Sequence, residues 1–182
     1  MKTLVARQRI ASCALAVLLG TTPALVLAQS QITVKVETAN GAMVSNVTVK
    51  ARLLDPKSKA TVEVVDGRAI GTNTYQVERL RKGLYEFYAC DDGLAYEPSV
   101  SSEVHLGEND SKTIPTLVLG EQQSREVSFQ GINPGTKVCL IHRQTGCQAT
   151  RTMGKARDGS GGLSIRGIQE HFDVSLQACK EN

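Results

Sequence analysis

Gln31-Ile32-Thr33-Val34-Lys35-Val36-Glu37 places an apolar residue at every second position, and Val47-Thr48-Val49-Lys50-Ala51-Arg52-Leu53 repeats the pattern beyond Ala39-Asn40-Gly41. Side chains of a strand point alternately to opposite faces, so this spacing predicts two strands with one face buried and one wet. Moving outward, Val62 and Val64 predict a third strand before an Asp66-Gly67 turn. Tyr75 to Leu80 predicts a fourth, and Leu84 to Ala89, entered through Lys82-Gly83, a fifth. Val104 to Leu106 and Thr113 to Leu119 complete the set. Short strands punctuated by turn residues about every ten positions predict an all-β fold, an antiparallel sandwich.

Near Gly120-Glu121-Gln122-Gln123-Ser124 the chain turns polar, and alternation restarts at Val127 and Phe129. A domain boundary is expected there, with a sandwich over 29–120 and a smaller antiparallel β domain over 125–182. Asn133-Pro134-Gly135-Thr136 has the form of a type II turn. It leads into strands at Lys137 to His142 and Cys147 to Thr152, followed by Leu163 to Ile168 and Phe172 to Cys179. Phe172, Val174, Leu176 and Ala178 are expected on one face. The Gly-rich stretch 154–162 is expected to be a flexible loop. A single five-stranded sheet in so short a segment buries little, so the second domain is expected to lean on the first or on a disulfide.

The first nine residues carry three positive charges and no acid, and an apolar run from Ile10 to Leu19 follows. With Val26-Leu27-Ala28 ahead of Gln29, this predicts a secretion leader over residues 1–28, cleaved after Ala28. Ile10-Ala11-Ser12-Cys13 resembles a lipoprotein box, but its apolar stretch follows Cys13 instead of preceding it, so no lipid is expected. Gly20 and Pro23 interrupt a run already short of the ~20 residues a span needs. Losing the leader also removes the three basic residues that make up the formal net charge of +3. A neutral chain has no basic surface for phosphates, so nucleic acid is not an expected partner.

Residues 40–119 resemble the carboxypeptidase regulatory-like domain. The resemblance is carried by Gly41-Ala42-Met43-Val44 before Val47-Thr48-Val49, by Asp66-Gly67 before a strand ending at Leu80, and by Lys82-Gly83-Leu84-Tyr85-Glu86-Phe87. Gly93 to Tyr96 and the closing Val104 to Leu119 pair follow in order. It implies a seven-stranded transthyretin-like (Ig-like) sandwich, non-catalytic, found as an accessory or spacer module in exported bacterial proteins. No catalytic residues carry over with it.

Four cysteines remain after the leader: Cys90, Cys139, Cys147 and Cys179. In an oxidising compartment they are expected to form two disulfides. Three pairings are possible. Because the first domain owns only Cys90, complete pairing requires one interdomain bridge. A hairpin centred on Arg143 would set Cys139 opposite Cys147 and leave Cys90 for Cys179.

The same oxidising environment argues against zinc at Cys139-x-x-His142 with Cys147, whose ends would face opposite ways on a strand. His105, His142 and His171 sit near strand ends with no nucleophile motif beside them and are expected at the surface. Asp91-Asp92 and Glu108-Asn109-Asp110 are expected to be solvated turns and not calcium loops. No catalytic residue, metal or cofactor is therefore expected.

These readings point to an exported, non-enzymatic protein, periplasmic or extracellular, that binds a protein or cell-envelope partner through sheet edges and loops. It is not expected to span the membrane after cleavage. One alternative is an inhibitor or immunity-type protein that blocks an enzyme with the 154–162 loop, where Arg157 and Asp158 would make contact. Another is a carbohydrate-binding accessory module using Tyr88, with Tyr75 and Tyr96 nearby, although the chain has no Trp and only four Tyr.

Overall fold

The computed structural model describes residues 29–120 and 124–179. The expected leader, its cleavage site and Cys13 lie outside the described residues. The N-terminal unit is built from β1 (Ser30–Thr38), β2 (Val47–Leu54), β3 (Thr61–Asp66), β4 (Arg68–Gly71), β5 (Thr74–Leu80), β6 (Gly83–Asp91), β7 (Ser99–Val100), β8 (Val104–Leu106), β9 (Ser111–Thr113) and β10 (Leu117–Leu119). One sheet runs β10-β1-β5-β4 with β9 also on β1; the other runs β3-β2-β6-β7 with β8 also on β6. Between them lie Ile32, Val34 and Val36 of β1, Val49, Ala51 and Leu53 of β2, and Tyr85, Phe87 and Ala89 of β6. Alternation in β1, β2 and β6 thus becomes the inner faces of a β-sandwich.

Two elements of this unit differ from the sequence reading. The expected antiparallel strand over Thr113–Leu119 is two segments that pair in parallel with β1, Gln31↔Ser111 to Thr33↔Thr113 and then Val36↔Leu117 to Thr38↔Leu119. Ile114 N–H still donates to Thr33 O at 3.1 Å, but Pro115 has no N–H to continue the ladder. In β3 the inward residue is Val65, opposite Ala51. Val62 and Val64 face outward, because a shift of one residue exchanges the two faces of a strand.

The C-terminal unit contains β11 (Ser124–Phe129), β12 (Lys137–His142), β13 (Gln148–Thr152), β14 (Gly154–Lys155), β15 (Gly161–Arg166) and β16 (Phe172–Ser175), with a three-residue 3-10 turn at Gln169–His171. It is a second small sandwich of two three-stranded sheets, β11-β15-β14 and β13-β12-β16, in place of the expected single sheet. β16 stops at Ser175, so Leu176 and Ala178 are exposed and do not extend the face begun by Phe172. The Gly-rich stretch is a tight hairpin and not a free loop. A Cβ on Gly161 would sit 2.9 Å from Ile132 O, and one on Gly162 would sit 3.1 Å from Ala156 N, so these glycines permit close backbone packing.

Among the described residues no strand pairs across the two units, yet their cores are joined. Tyr88, Cys90 and Leu94, on the outer side of the β2–β6 sheet, pack with Val138, Leu140, Ala149, Leu163, Ile165 and Phe172. Both faces of β6 are therefore buried: Tyr85, Phe87 and Ala89 against one sandwich core, Tyr88 and Cys90 against the other.

The disulfides join Cys90 to Cys147 and Cys139 to Cys179, with Cα separations of 6.0 and 4.7 Å. The expected pairing of Cys139 with Cys147 and Cys90 with Cys179 is overturned, while the interdomain bridge demanded by parity is present. The hairpin register explains the exchange. β12 and β13 pair Cys139↔Thr150 and Leu140↔Ala149, so the turn lies beyond Arg143. Gly146 adopts a positive φ of 72° and donates to His142 O at 2.8 Å, while Thr145 Oγ1 accepts from Cys147 N–H at 3.2 Å. Cys147 is thereby carried to the turn end beside Cys90.

Candidate functional site

A buried polar cluster in the interunit contact is built around Glu97, in the segment between β6 and β7. Its backbone is held by reciprocal bonds with Gly120, Glu97 N–H to Gly120 O at 3.1 Å and Gly120 N–H to Glu97 O at 3.0 Å. Two glycines make room for the side chain. A Cβ on Gly120 would lie 3.0 Å from Glu97 Cβ, and one on Gly167, whose φ is +116°, would lie 3.1 Å from the same atom. The carboxylate is 12% exposed and points at two imidazoles of the C-terminal unit.

His171, in the 3-10 turn, approaches Glu97 Oε1 with Nδ1 at 2.5 Å. Its side chain is 44% exposed, so the site opens to solvent on this side. His142, the last residue of β12, is 1% exposed. Its Nδ1 lies 2.8 Å from Thr145 Oγ1, and its ring meets those of Phe172 and His171 edge-on at centroid distances of 5.1 and 5.9 Å. His142 Nε2 is buried with no hydrogen-bond partner and stands 4.0 Å from Glu97 Oε1. Burial pushes the His142 imidazole below its ordinary value; Glu97 opposes this and His171 adds to it. Burial thus favours the neutral form of the ring.

Of the three histidines expected at the surface, His105 is exposed, His171 is half-buried and His142 is buried. His142 contradicts that expectation: the strand ends inside the interface, not at solvent. Sequence reasoning missed the cluster because its members come from three separate elements. The available signal was β6 itself, where Tyr85-Glu86-Phe87-Tyr88-Ala89-Cys90 carries apolar residues at both parities, the pattern of a strand covered on both faces.

The residues proposed for ligand contact do not converge. Tyr75 and Tyr96 are half-buried against the N-terminal core. Tyr88 is buried in the interunit core under the Arg52 guanidinium, 5.6 Å from its ring centroid, and burial raises its hydroxyl pKa. Arg52 also binds Glu86 and donates from Nη1 to Gln144 O at 2.7 Å, tethering the β12–β13 turn. Arg157 and Asp158 line a shallow hollow with Glu126, Ser128 and Ala156. Asp158 is occupied there: its Oδ1 accepts from Ser160 Oγ at 2.6 Å and Ser160 N–H at 3.0 Å, which lowers its pKa.

The acidic turns are likewise engaged, with Asp91 Oδ2 accepting from Ala95 N–H at 2.7 Å and Asp110 Oδ2 from Gly107 N–H at 2.8 Å. A larger cleft of about 580 Å³ opens in the C-terminal unit, floored by Val127, Phe129, Ile165 and Phe172 and rimmed by Arg143 and Asp173.

No protein-family model matches the chain, and no curated protein matches it. Two solved structures are similar in part. A Streptococcal ancillary pilin is 14% identical, with a TM-score of 0.42 over 83% of this chain and 54% of the pilin. A DUF3823 family protein from Parabacteroides merdae ATCC 43184 is 12% identical, with a TM-score of 0.37 over 78% of this chain and 81% of that one. The chain thus spans about half the length of the pilin. Likeness of this extent assigns no partner or activity, and the β-sandwich architecture rests on the strand pairing itself.

Proposed function

We propose that the chain is an exported, non-catalytic binding protein that captures an extended segment of a protein partner along β3. The observation that carries this reading is the free edge of the β2–β6 sheet. Among the described residues β3 pairs only with β2, and it holds Val62 at 57% and Val64 at 47% exposure. An edge strand with unpaired backbone groups and an apolar outward face is a template for strand addition. Glu63 is paired with Arg81, and Asp66 with Lys50, so these charges bracket the edge without covering Val62 or Val64.

Export is supported by the leader expected over residues 1–28 and by two disulfides, which persist in oxidising compartments. The carboxypeptidase regulatory-like reading of the N-terminal sandwich rests on the motif order over residues 40–119; within its Gly83-Leu84-Tyr85-Glu86-Phe87 step, Tyr85 and Phe87 fill the core. The inhibitor alternative has less support, because the 154–162 segment is a closed hairpin, and the carbohydrate alternative loses its platform with Tyr88 buried.

The test is capture from a cell-envelope extract by the mature chain carrying a photo-crosslinker at position 62, alongside the Val62→Lys/Val64→Lys variant. The account expects crosslinks to one protein partner and at least tenfold weaker capture by the variant. Capture by the variant at the wild-type level would refute β3 as the binding edge.

A further inference from the structure

We infer that Glu97, His142 and His171 form a zinc-binding site that ties the two sandwiches together. Three donor atoms, Glu97 Oε1, His142 Nε2 and His171 Nδ1, all lie within 4.8 Å of one another. Two imidazole nitrogens and one carboxylate oxygen are a donor set that zinc takes, with one position left for water. Tetrahedral zinc with bonds of 2.0–2.1 Å spaces its ligands about 3.3 Å apart. The 2.5 Å contact from His171 to Glu97 would open by less than about 1 Å, and the 4.0 Å contact from His142 would close by a similar amount.

The independent sign of a missing ligand is His142 Nε2. It belongs to a side chain that is 1% exposed, it has no hydrogen-bond partner, and it faces the carboxylate. A buried polar atom left without a partner costs about 1–3 kcal/mol, and a cation between it and Glu97 removes that cost. The outer contacts suit the same purpose. His142 Nδ1 lies 2.8 Å from Thr145 Oγ1, and in the tautomer that donates Nδ1–H to this hydroxyl the Nε2 lone pair is free to bind. Glu97 is seated by Gly120 and Gly167, whose missing Cβ atoms allow the backbone to close around it. The half-exposed His171 leaves an entry path and room for the fourth ligand, a water molecule.

Glu97 comes from the N-terminal unit and both histidines from the C-terminal unit, so zinc would add a second tie between the units close to Cys90–Cys147, since His142 N–H donates to Cys147 O at 2.8 Å. Zinc there ties the two units together and is independent of partner capture at β3.

The experiment is zinc and cobalt titration of the mature chain, freed of metal with a chelator and carrying no histidine tag. One zinc per chain is expected, with a visible cobalt absorption band of four- or five-coordinate intensity and a rise in Tm on zinc addition. His171→Ala, at the half-exposed edge of the site, and the near-isosteric Glu97→Gln should remain folded by circular dichroism and lose the cobalt band. Thr145→Val should weaken zinc binding by about 10- to 100-fold. Absence of saturable binding by the wild-type chain, or one-to-one binding retained in the folded His171→Ala and Glu97→Gln variants, would overturn the site.

Discussion

The two sandwiches of this chain reach stability by different routes. The N-terminal unit has nine-residue strands in β1 and β6 and an eight-residue strand in β2, and these close a core drawn from its own residues. Among the described residues the C-terminal unit has no strand longer than six residues, and its core is completed by Tyr88, Cys90 and Leu94 of its neighbour. Both disulfides end in the smaller unit. A small sandwich has too little interior to offset the entropy of ordering its chain. Here the deficit is met by a borrowed apolar surface and by covalent ties.

Removing Cys90–Cys147 should break this arrangement most. Its sequence separation of 57 corresponds to about 4 kcal/mol in the chain-entropy model. In urea denaturation of the Cys90→Ser/Cys147→Ser chain, a loss of roughly that size is expected. Hydrogen exchange should localise the earliest opening to residues 124–179. Cys139–Cys179, with a separation of 40, has nearly the same loop term, but it anchors residues beyond β16 that lie mostly exposed. Its removal is expected to cost less, and an equal loss would show that the tail supports the core.

Tyr88→Ala comes next, with an expected loss of about 3 kcal/mol, because a large side chain leaves the shared core. His142→Ala should cost about 1–3 kcal/mol in the metal-free chain, the lost packing being partly offset by removal of an unpartnered nitrogen. These two substitutions sharpen the comparison, since neither side chain touches the core between the first unit's own sheets.

A smaller effect follows from pH. The His142 pKa is lowered in the folded chain by burial, with Glu97 opposing and His171 reinforcing the shift. The unfolded chain therefore binds a proton that the folded chain does not as pH falls below the ordinary histidine value of 6.5. Stability should decline from neutral pH down through that window. Urea midpoints compared at pH 7.5 and 5.5 with a chelator present should show a pH dependence that is reduced in His142→Phe. The smallest stability change is expected at Val64→Lys, within about 0.5 kcal/mol, since the residue is exposed.

What could be read in the sequence divides along the same line. Ile32-Thr33-Val34-Lys35-Val36 and its counterpart in β2 announced their inner faces because one face of each is wet over most of its length. Three adjacent features were not legible by alternation. Val62, Val64 and Val65 offer apolar residues at both parities, so the face of β3 depends on its pairing with Ala51 and Arg52. The parallel pairing of β9 and β10 with β1 is a tertiary choice without a local marker. The β12–β13 register hangs on Gly146 and Thr145 forming the turn, and that register decides which cysteines meet. The Glu97–His142–His171 cluster lies further from local signals still, because it exists only once the second sandwich is docked on the first.

The dependence of the small sandwich on the large one is tested most directly by producing residues 29–120 with Cys90→Ser and residues 124–182 as separate chains, the latter oxidised at Cys139–Cys179. Thermal unfolding followed by near-ultraviolet circular dichroism should show one cooperative transition for the first chain and none for the second. A cooperative transition in the isolated second chain would contradict the account.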